Sequence, residues 1–385
     1  MAKSFLRRIS QLQQRLAERQ LDAALISDPD AIFYLSGFWG YSGLAAAGRP
    51  TLLWIPAGAK PVVITPILEL EMAQRMSAVP DIRDWMDGVK GEWRGPLREA
   101  VAKDKVKRIA VDAFKIPGVI AGFLQEEWPQ IEKVDLNPIL DAMRMIKDAD
   151  ELKIMRDTGR VATAMAAAAE KVIGAGVPEY EVALAIIDGG TRKAAELLAG
   201  DTGPFETPMI HNLQILQSGE DTCMVHRRST LRRLQKGDPI YLCFCEIAKF
   251  KNYCLGFDRE YFVGSVTDEQ ARLYEVALKA QAAALSAIRP GVVAEEVHKI
   301  ADAVYQEAGF APTYRTGRGV GTSILERPEL KHGDKTKLQP GMTFAVDGGL
   351  TVVGSYGARV GDSIVVTETG FDYLTPYPKS LKIIG

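Results

Sequence analysis

The chain has 385 residues, a quarter of them charged, with 47 Lys+Arg against 49 Asp+Glu. A net charge of −2 gives no electrostatic reason to expect nucleic acid or an anionic membrane surface as a partner, and no apolar run approaches the ~20 residues of a membrane span. The length predicts about two domains, and the four cysteines, none in CxxC spacing, point to a reduced, cytoplasmic protein.

Taken in order, Leu6, Ile9, Leu12 and Leu16 put one apolar stripe on a first helix, with no apolar run there long enough for a secretory signal. Strands are predicted at residues 23–27, 51–55, 61–65, 108–112 and 133–136, with helical periods at 67–76, 96–102 and 119–127. Asp28-Pro29-Asp30 reads as a break after the first strand. Such alternation predicts an α/β layer domain ending near residue 140. Its loop Phe38-Trp39-Gly40-Tyr41-Ser42-Gly43 mixes aromatics with glycines, so Tyr41 reads either as pocket wall or as part of a packed turn. Arg49, just before a strand, reads as a surface residue.

From Lys147 the texture changes. Asp148-Ala149-Asp150-Glu151 is an acidic helix start, suited to the positive end of the helix dipole. The helix it opens is alanine-rich, which lets a neighbour approach closely. Ile173, Gly176, Val177, Glu181 and Val182 recur 115 positions later as Ile288, Gly291, Val292, Glu296 and Val297. A repeat of this kind predicts two similar halves with a pocket at their junction.

The residues able to do chemistry cluster in this second part. His226 lies in the polar, basic run His226-Arg227-Arg228-Ser229-Thr230 and reads either as a proton shuttle or as a solvated loop histidine. Two strand-like runs flank the basic turn at residues 249–252, and Asp258-Arg259-Glu260 closes the second of them. Alternation sends Asp258 and Glu260 to one face and Arg259 to the other. The two carboxylates could bind a cationic group, orient a histidine, or pair with surface arginines. Arg318 sits among glycines in Gly317-Arg318-Gly319-Val320-Gly321, where backbone or ligand can come close. Asp347 is expected at a strand end before a tight Gly348-Gly349 turn, and Arg359 at the entry to a strand over 363–366.

Together these segments resemble the creatinase/prolidase, or pita-bread, family over nearly the whole chain. The resemblance is carried by His226-x3-Thr230-x-Arg232-x-Leu234-x2-Gly237-Asp238, by Leu338-Gln339-Pro340-Gly341-Met342, and by residues 357–362 followed by Ser363-Ile364-Val365-Val366. It implies an α+β pita-bread catalytic domain over residues 146–385 and an N-terminal creatinase-type α/β lid domain over 1–145. Family metallopeptidases bind two divalent ions through two Asp, one His and two Glu. Here those positions fall on Cys243 or Cys245, on Gly256, on Arg318, on Asp347 and on Gly361. Such a site needs several carboxylates to compensate two divalent charges. The expectation is therefore no metal and no cofactor.

What remains is similar to creatinase, the family member that works without metal. The resemblance makes His226 the catalytic histidine and Asp258 a contact to a guanidino group. It makes Arg49 a carboxylate ligand presented by a neighbouring copy's lid domain, so that a homodimer is expected. Creatinase's other guanidino-contacting glutamate falls on Val360. Glu246, in a Glu-Ile-Ala context, resembles the sheet motif of ectoine hydrolase, a second metal-free relative. The expected activity is metal-independent hydrolysis of a C–N bond of amidine, guanidino or cyclic amide type in a small, polar, zwitterionic molecule. His226, Asp258 and Glu260 would be catalytic; Arg318, Asp347, Arg359, Arg49, Cys243 and Tyr41 would bind substrate. Cys243 as a nucleophile is a variant of this reading, against a buried, inert thiol. The rivals are a non-catalytic binding member of the fold and a residual Xaa-Pro dipeptidase.

Overall fold

The computed structural model describes residues 2–40, 48–103, 106–200, 206–209, 215–245, 247–311 and 313–385. Tyr41, His211 and Glu246 lie outside them. The chain divides into Met1–Met143 and Arg144–Gly385, two residues before the expected 145/146 boundary. Among the described residues no helix is long and apolar enough to cross a membrane.

The first unit holds strands β1 (Ala23–Ile26), β2 (Leu52–Pro56), β3 (Val62–Pro66), β4 (Asp81–Trp85), β5 (Arg108–Val111) and β6 (Glu132–Asp135) in one sheet, ordered β4-β3-β2-β1-β5-β6. Period-2 alternation splits its strands cleanly between two cores. Leu25, Trp54 and Ile64 face one side, while Ile26, Leu53, Ile55 and Val63 face the other. The stripe of helix α1 (Ala2–Glu18) packs on the second side through Ile9, Leu12 and Leu16. Asp28-Pro29-Asp30 does more than end a strand. Asp28 accepts the Ala31 N–H at 3.3 Å and Pro29 opens helix α2 (Pro29–Ser36), an N-cap with proline at the first helical position. The unpredicted β4, Asp-Ile-Arg-Asp-Trp, is a half-exposed edge strand paired only with β3, so its polar sequence gives no core signal.

The second unit builds one large sheet from β7 (Ile215–Ser218), β8 (Pro239–Cys243), β11 (Asp258–Val263), β12 (Gly317–Gly319), β13 (Glu326–Leu330), β14 (Thr343–Val352) and β15 (Tyr356–Val366). Its order is β13-β12-β14-β15-β11-β8-β7. The basic turn at Lys251 (φ 47°) and Asn252 (φ 61°) joins two short strands, β9 (Lys249–Phe250) and β10 (Tyr253–Cys254), rather than β8 and β11. Helices α7 (Ala149–Glu170) and α8 (Glu179–Leu198) share a core with β7, β8 and β11, whereas α9 (Asp268–Ala287) and α10 (Ala294–Glu307) pack on β13, β14 and β15. Helix α7 opens on a capping box, Asp148 with Glu151.

The internal repeat is a structural one. Gly176 and Gly291 each adopt φ 86°, a conformation only glycine takes without strain. Each then makes the same pair of bonds: Gly176 N–H to Leu234 O (2.7 Å) with Leu234 N–H to Val177 O (2.9 Å), and Gly291 N–H to Leu338 O (2.8 Å) with Leu338 N–H to Val292 O (2.8 Å).

Glycines mislead the strand boundaries. β14 runs unbroken through Gly348-Gly349, and β15 contains Arg359 instead of starting after it. A Cβ at Gly348 would lie 2.2 Å from the Ala277 carbonyl oxygen of α9, so this glycine permits close helix–sheet approach and makes no turn.

At the start of the second unit, Arg144 (Nη2, 2.6 Å) and Lys147 (Nζ, 2.8 Å) both bind Glu326, all three groups being buried. Against the cost of burial, these cations pull the Glu326 carboxyl from 4.5 to about 2. A lowered acid pKa stabilises the fold above pH ~4.5 and the effect disappears as pH falls toward 2, a difference of about 3 kcal/mol. Denaturant midpoints of Glu326→Gln and the parent are therefore expected to differ most at neutral pH and to converge in acid; a gap independent of pH would refute this assignment.

Candidate functional site

A cavity of about 780 Å³ opens in the second unit. Five adjacent strands each deliver a residue to it: Cys243 from the end of β8, Asp258 from the start of β11, Arg359 from β15, Asp347 from β14 and Arg318 from β12. His226 reaches the same cavity from the turn that follows β7; it is solvent-exposed and has no hydrogen bond among the described residues.

Register explains the convergence. Asp258 opposes Cys243 on one side and Gly361 on the other, and Asp347 opposes Gly361 from the far side. A Cβ at Gly361 would lie 2.6 Å from Asp258 Oδ2 and 2.8 Å from Asp347 Oδ1, so the missing side chain leaves room for both carboxylates. Gly256 does the same for the arginine: a Cβ there would come within 3.0 Å of Arg318 Nη2. The Arg318 guanidinium donates to Asp347 Oδ2 (2.8 Å), to Cys245 Sγ (3.0 Å) and to the Ile324 carbonyl (3.1 Å).

Charge follows from this packing. Burial and the negative charge of Asp347 push Asp258 up to about 6. Burial works against the Arg318 cation, but Cys245, Asp347 and Asp258 outweigh it and hold the group charged. The Cys243 thiol, hydrogen-bonded to Cys245 and buried, is pushed well above its ordinary value, which suits an inert thiol better than a nucleophile. Asp347 Oδ1 is buried and unpartnered, an acceptor left for a ligand.

Three expected residues sit differently. Glu260 does not line the cavity. Its Oε2 accepts the Arg359 backbone N–H at 2.8 Å, replacing a ladder bond where β11 and β15 pair only at Asp258–Gly361, and burial raises its carboxyl to about 8. Alternation did place it on the Asp258 face, but two residues further along that face is already core. Arg359 lines the cavity, yet its guanidinium is committed to its own hairpin, donating to Leu350 O, Ala358 O and Thr351 Oγ1. Arg49 belongs to the first unit, where it forms a two-point ion pair with Asp87 (3.1 and 2.5 Å). Tyr41 falls outside the described residues.

Tyr305, Thr313 and Arg315 also line the cavity and carried no signal in the sequence. Tyr305 lies on the apolar stripe of α10, and only the approach of Gly349, whose N–H donates to its hydroxyl at 2.7 Å, shows it to be wall. Cys245 was legible through its two-residue spacing from Cys243.

Residues 153–368 match the model of metallopeptidase family M24, and residues 8–146 match the creatinase/prolidase N-terminal domain. The chain belongs to family M24. It is 31% identical to agropine synthesis cyclase of Rhizobium rhizogenes, covering 96% of this chain and 95% of that one. It is 28% identical to an Xaa-Pro dipeptidase of Lactobacillus helveticus, with 98% of each covered. Among solved structures, dipeptidase PepE from Mycobacterium ulcerans superimposes with a TM-score of 0.84 at 26% identity, over 100% of this chain and 98% of that one. Prolidase from Thermococcus sibiricus shares the fold, at a TM-score of 0.86 and 22% identity over 99% of each. The protein is thus a two-domain pita-bread hydrolase of family M24.

The family's name implies metal, and the residues of this M24 chain do not fit a divalent pair. Asp258 and Asp347 are the carboxylates lining the cavity among the described residues. Cys243, Cys245 and Asp258 do bring three donor atoms together, but Arg318 stands 3.0 Å from the Cys245 sulfur. Unit charges ~4 Å apart at an effective dielectric of 20 repel by roughly 4 kcal/mol, and a divalent ion doubles that. The guanidinium already sets a positive charge beside the donor atoms that a cation would use.

Proposed function

We propose that this M24 protein hydrolyses a non-peptide C–N bond in a small, polar, zwitterionic molecule and does so without a metal ion in its cavity. The observation that carries the reading is the buried Arg318 cation bridging Asp347 and Cys245 in the cavity wall. In this reading His226 takes a proton from water, the water oxygen bonds to the substrate carbon, the C–N bond breaks, and His226 returns the proton to the leaving nitrogen. Asp258 and the unpartnered Asp347 Oδ1 hold a cationic or N–H-rich group. Arg318 and Arg315 supply positive charge for a carboxylate or the developing oxyanion. The reading includes a homodimer in which Arg49 of one copy serves the other's cavity, which requires its pair with Asp87 to open.

A second reading, ring closure or ring opening within one molecule, is favoured by the 31% identity to a protein named as a cyclase. Forming a ring with loss of water is hydrolysis run backwards, and the same acid–base and cation groups would serve it.

The test is a turnover screen of guanidino, amidino, cyclic amide and lactone-forming compounds, alongside Xaa-Pro dipeptides, before and after metal stripping with a chelator. Turnover of a non-peptide compound that needs no added Mn²⁺ or Co²⁺ is expected. Arg318→Met should lower that turnover by about 10²–10³-fold, as removal of an oxyanion-type donor does. Release of proline that depends on added Mn²⁺ or Co²⁺ would sink the reading.

A further inference from the structure

A second cluster is bonded to the segment that brings Thr313 and Arg315 to the cavity. His298 and Asp302, one turn apart on α10, are both buried, and His332 reaches them from the exposed turn after β13. We propose that His298, Asp302 and His332 form a Zn²⁺ site that braces segment 313–316 of the cavity wall.

The argument begins with two buried polar atoms that lack hydrogen bonds. His298 Nε2 and Asp302 Oδ2 stand 3.2 Å apart, yet neither has a hydrogen-bond partner. Their remaining atoms are satisfied. His298 Nδ1 is bonded to Thr316 Oγ1 at 2.8 Å, and Asp302 Oδ1 accepts the Thr313 N–H (3.0 Å) and hydroxyl (2.9 Å). A bond on the far ring nitrogen is what orients a ligating imidazole. Close approach without hydrogen-bond alignment suits two atoms that share a cation lying off the line between them.

Distances agree with that cation. At Zn–N and Zn–O lengths near 2.0–2.1 Å, tetrahedral ligand atoms lie roughly 3.3 Å apart. The observed separations from Asp302 Oδ2 are 3.2 Å to His298 and 3.9 Å to His332 Nε2, with all three ligand atoms within 4.8 Å of one another. The His332 side chain is 64% exposed, so a swing of about 1.5 Å toward the ~3.3 Å spacing closes the site and leaves the fourth position to water. Two imidazoles and one carboxylate are a borderline donor set that favours Zn²⁺ over Mg²⁺ or Ca²⁺. Nearby ammonium groups are engaged elsewhere: Lys331 pairs with Glu329 (2.7 Å), and Lys335 pairs with Glu295.

The consequence reaches the cavity through the backbone. The Thr316 carbonyl accepts the Asp347 N–H at 2.8 Å, and Thr313 and Arg315 line the cavity. A cation tying α10 to the turn at His332 clamps the segment whose strand continues into Arg318.

The full chain, stripped of metal, is titrated with Zn²⁺ by calorimetry and with Co²⁺ by visible absorption. One equivalent per chain, tetrahedral Co²⁺ bands, and a Zn²⁺-dependent rise in melting temperature are expected. His332→Ala and Asp302→Asn should each weaken binding by at least about 10–100-fold and remove the thermal shift, with circular dichroism reporting an intact fold. Cys245→Ser should leave binding unchanged, which separates this site from the cavity thiols. Absence of binding by the parent chain, survival of binding in His332→Ala, or its loss in Cys245→Ser would each overturn the proposal. None of these readouts depends on the turnover proposed above.

Discussion

Replacing His226 by alanine is expected to lower turnover by about 10²–10⁴-fold, the range that removal of a positioned acid–base group covers. The magnitude rests on its position: it faces the cavity that holds Asp258, Asp347 and Arg318, and it is the histidine lining that cavity among the described residues. The folded state should be unaffected, because the side chain is exposed in a turn and makes no hydrogen bond among the described residues. Unfolding midpoints of the variant and parent should agree within ~0.5 kcal/mol, as for surface substitutions generally. A second group shapes the pH profile. Asp258, raised to about 6, must be ionised to hold a cationic substrate, so activity should fall as pH drops through that value. Asp258→Asn should lower kcat/KM and remove that acid limb. Less than tenfold loss in His226→Ala, measured on whatever compound the screen yields, would rule out the proton-shuttle role.

The largest stability effect is expected from Asp362→Ala. Asp362 and Arg259 are each 1% exposed and meet at 2.6 Å between β15 and β11. Arg259 also donates to the carbonyls of Asp258, Gly361, Tyr377 and Pro378, while Asp362 accepts from Lys379 (2.9 Å) and Gln281 (3.2 Å). Removing the carboxylate leaves a buried guanidinium with no counter-charge, a loss of about 3–5 kcal/mol. For a domain of this size that corresponds to a fall in melting temperature of roughly 6–20 °C. Asp362→Asn, which keeps hydrogen-bonding capacity and loses charge, should fall between the parent and the alanine variant. Because Arg259 neighbours Asp258 in β11, the alanine variant should also lose activity before it unfolds. A change in melting temperature below 2 °C would show that the carbonyls alone suffice for Arg259.

Local patterns explain why much of the fold was legible. The α1 stripe, the alternating strands of the first unit and the Asp148–Glu151 helix start all depend on residues within a few positions of one another, and the repeat through Gly176 and Gly291 shows as one short pattern written twice. Asp258 and Arg318 were nameable because strand alternation and glycine context aim them at one place. Failures came where a residue's meaning depends on something distant. Gly348 read as a turn because its reason, the carbonyl of Ala277, lies on another element. Glu260 read as a cavity residue because alternation gives a face but not where along that face the cavity stops.

By itself the sequence determined the class of the protein: two units, a repeated helical frame, and an arginine, Arg318, set among glycines in the second of them. Those are properties of residue type and spacing, and they survive any detail of packing. Only tertiary structure decided which groups meet. The Arg318–Asp347–Cys245 contacts, the space left by Gly256 and Gly361, and the approach of His332 to His298 and Asp302 all join positions far apart in the chain. Distances of a few ångströms between such positions are set by how helices seat on the sheet, and no local pattern encodes that.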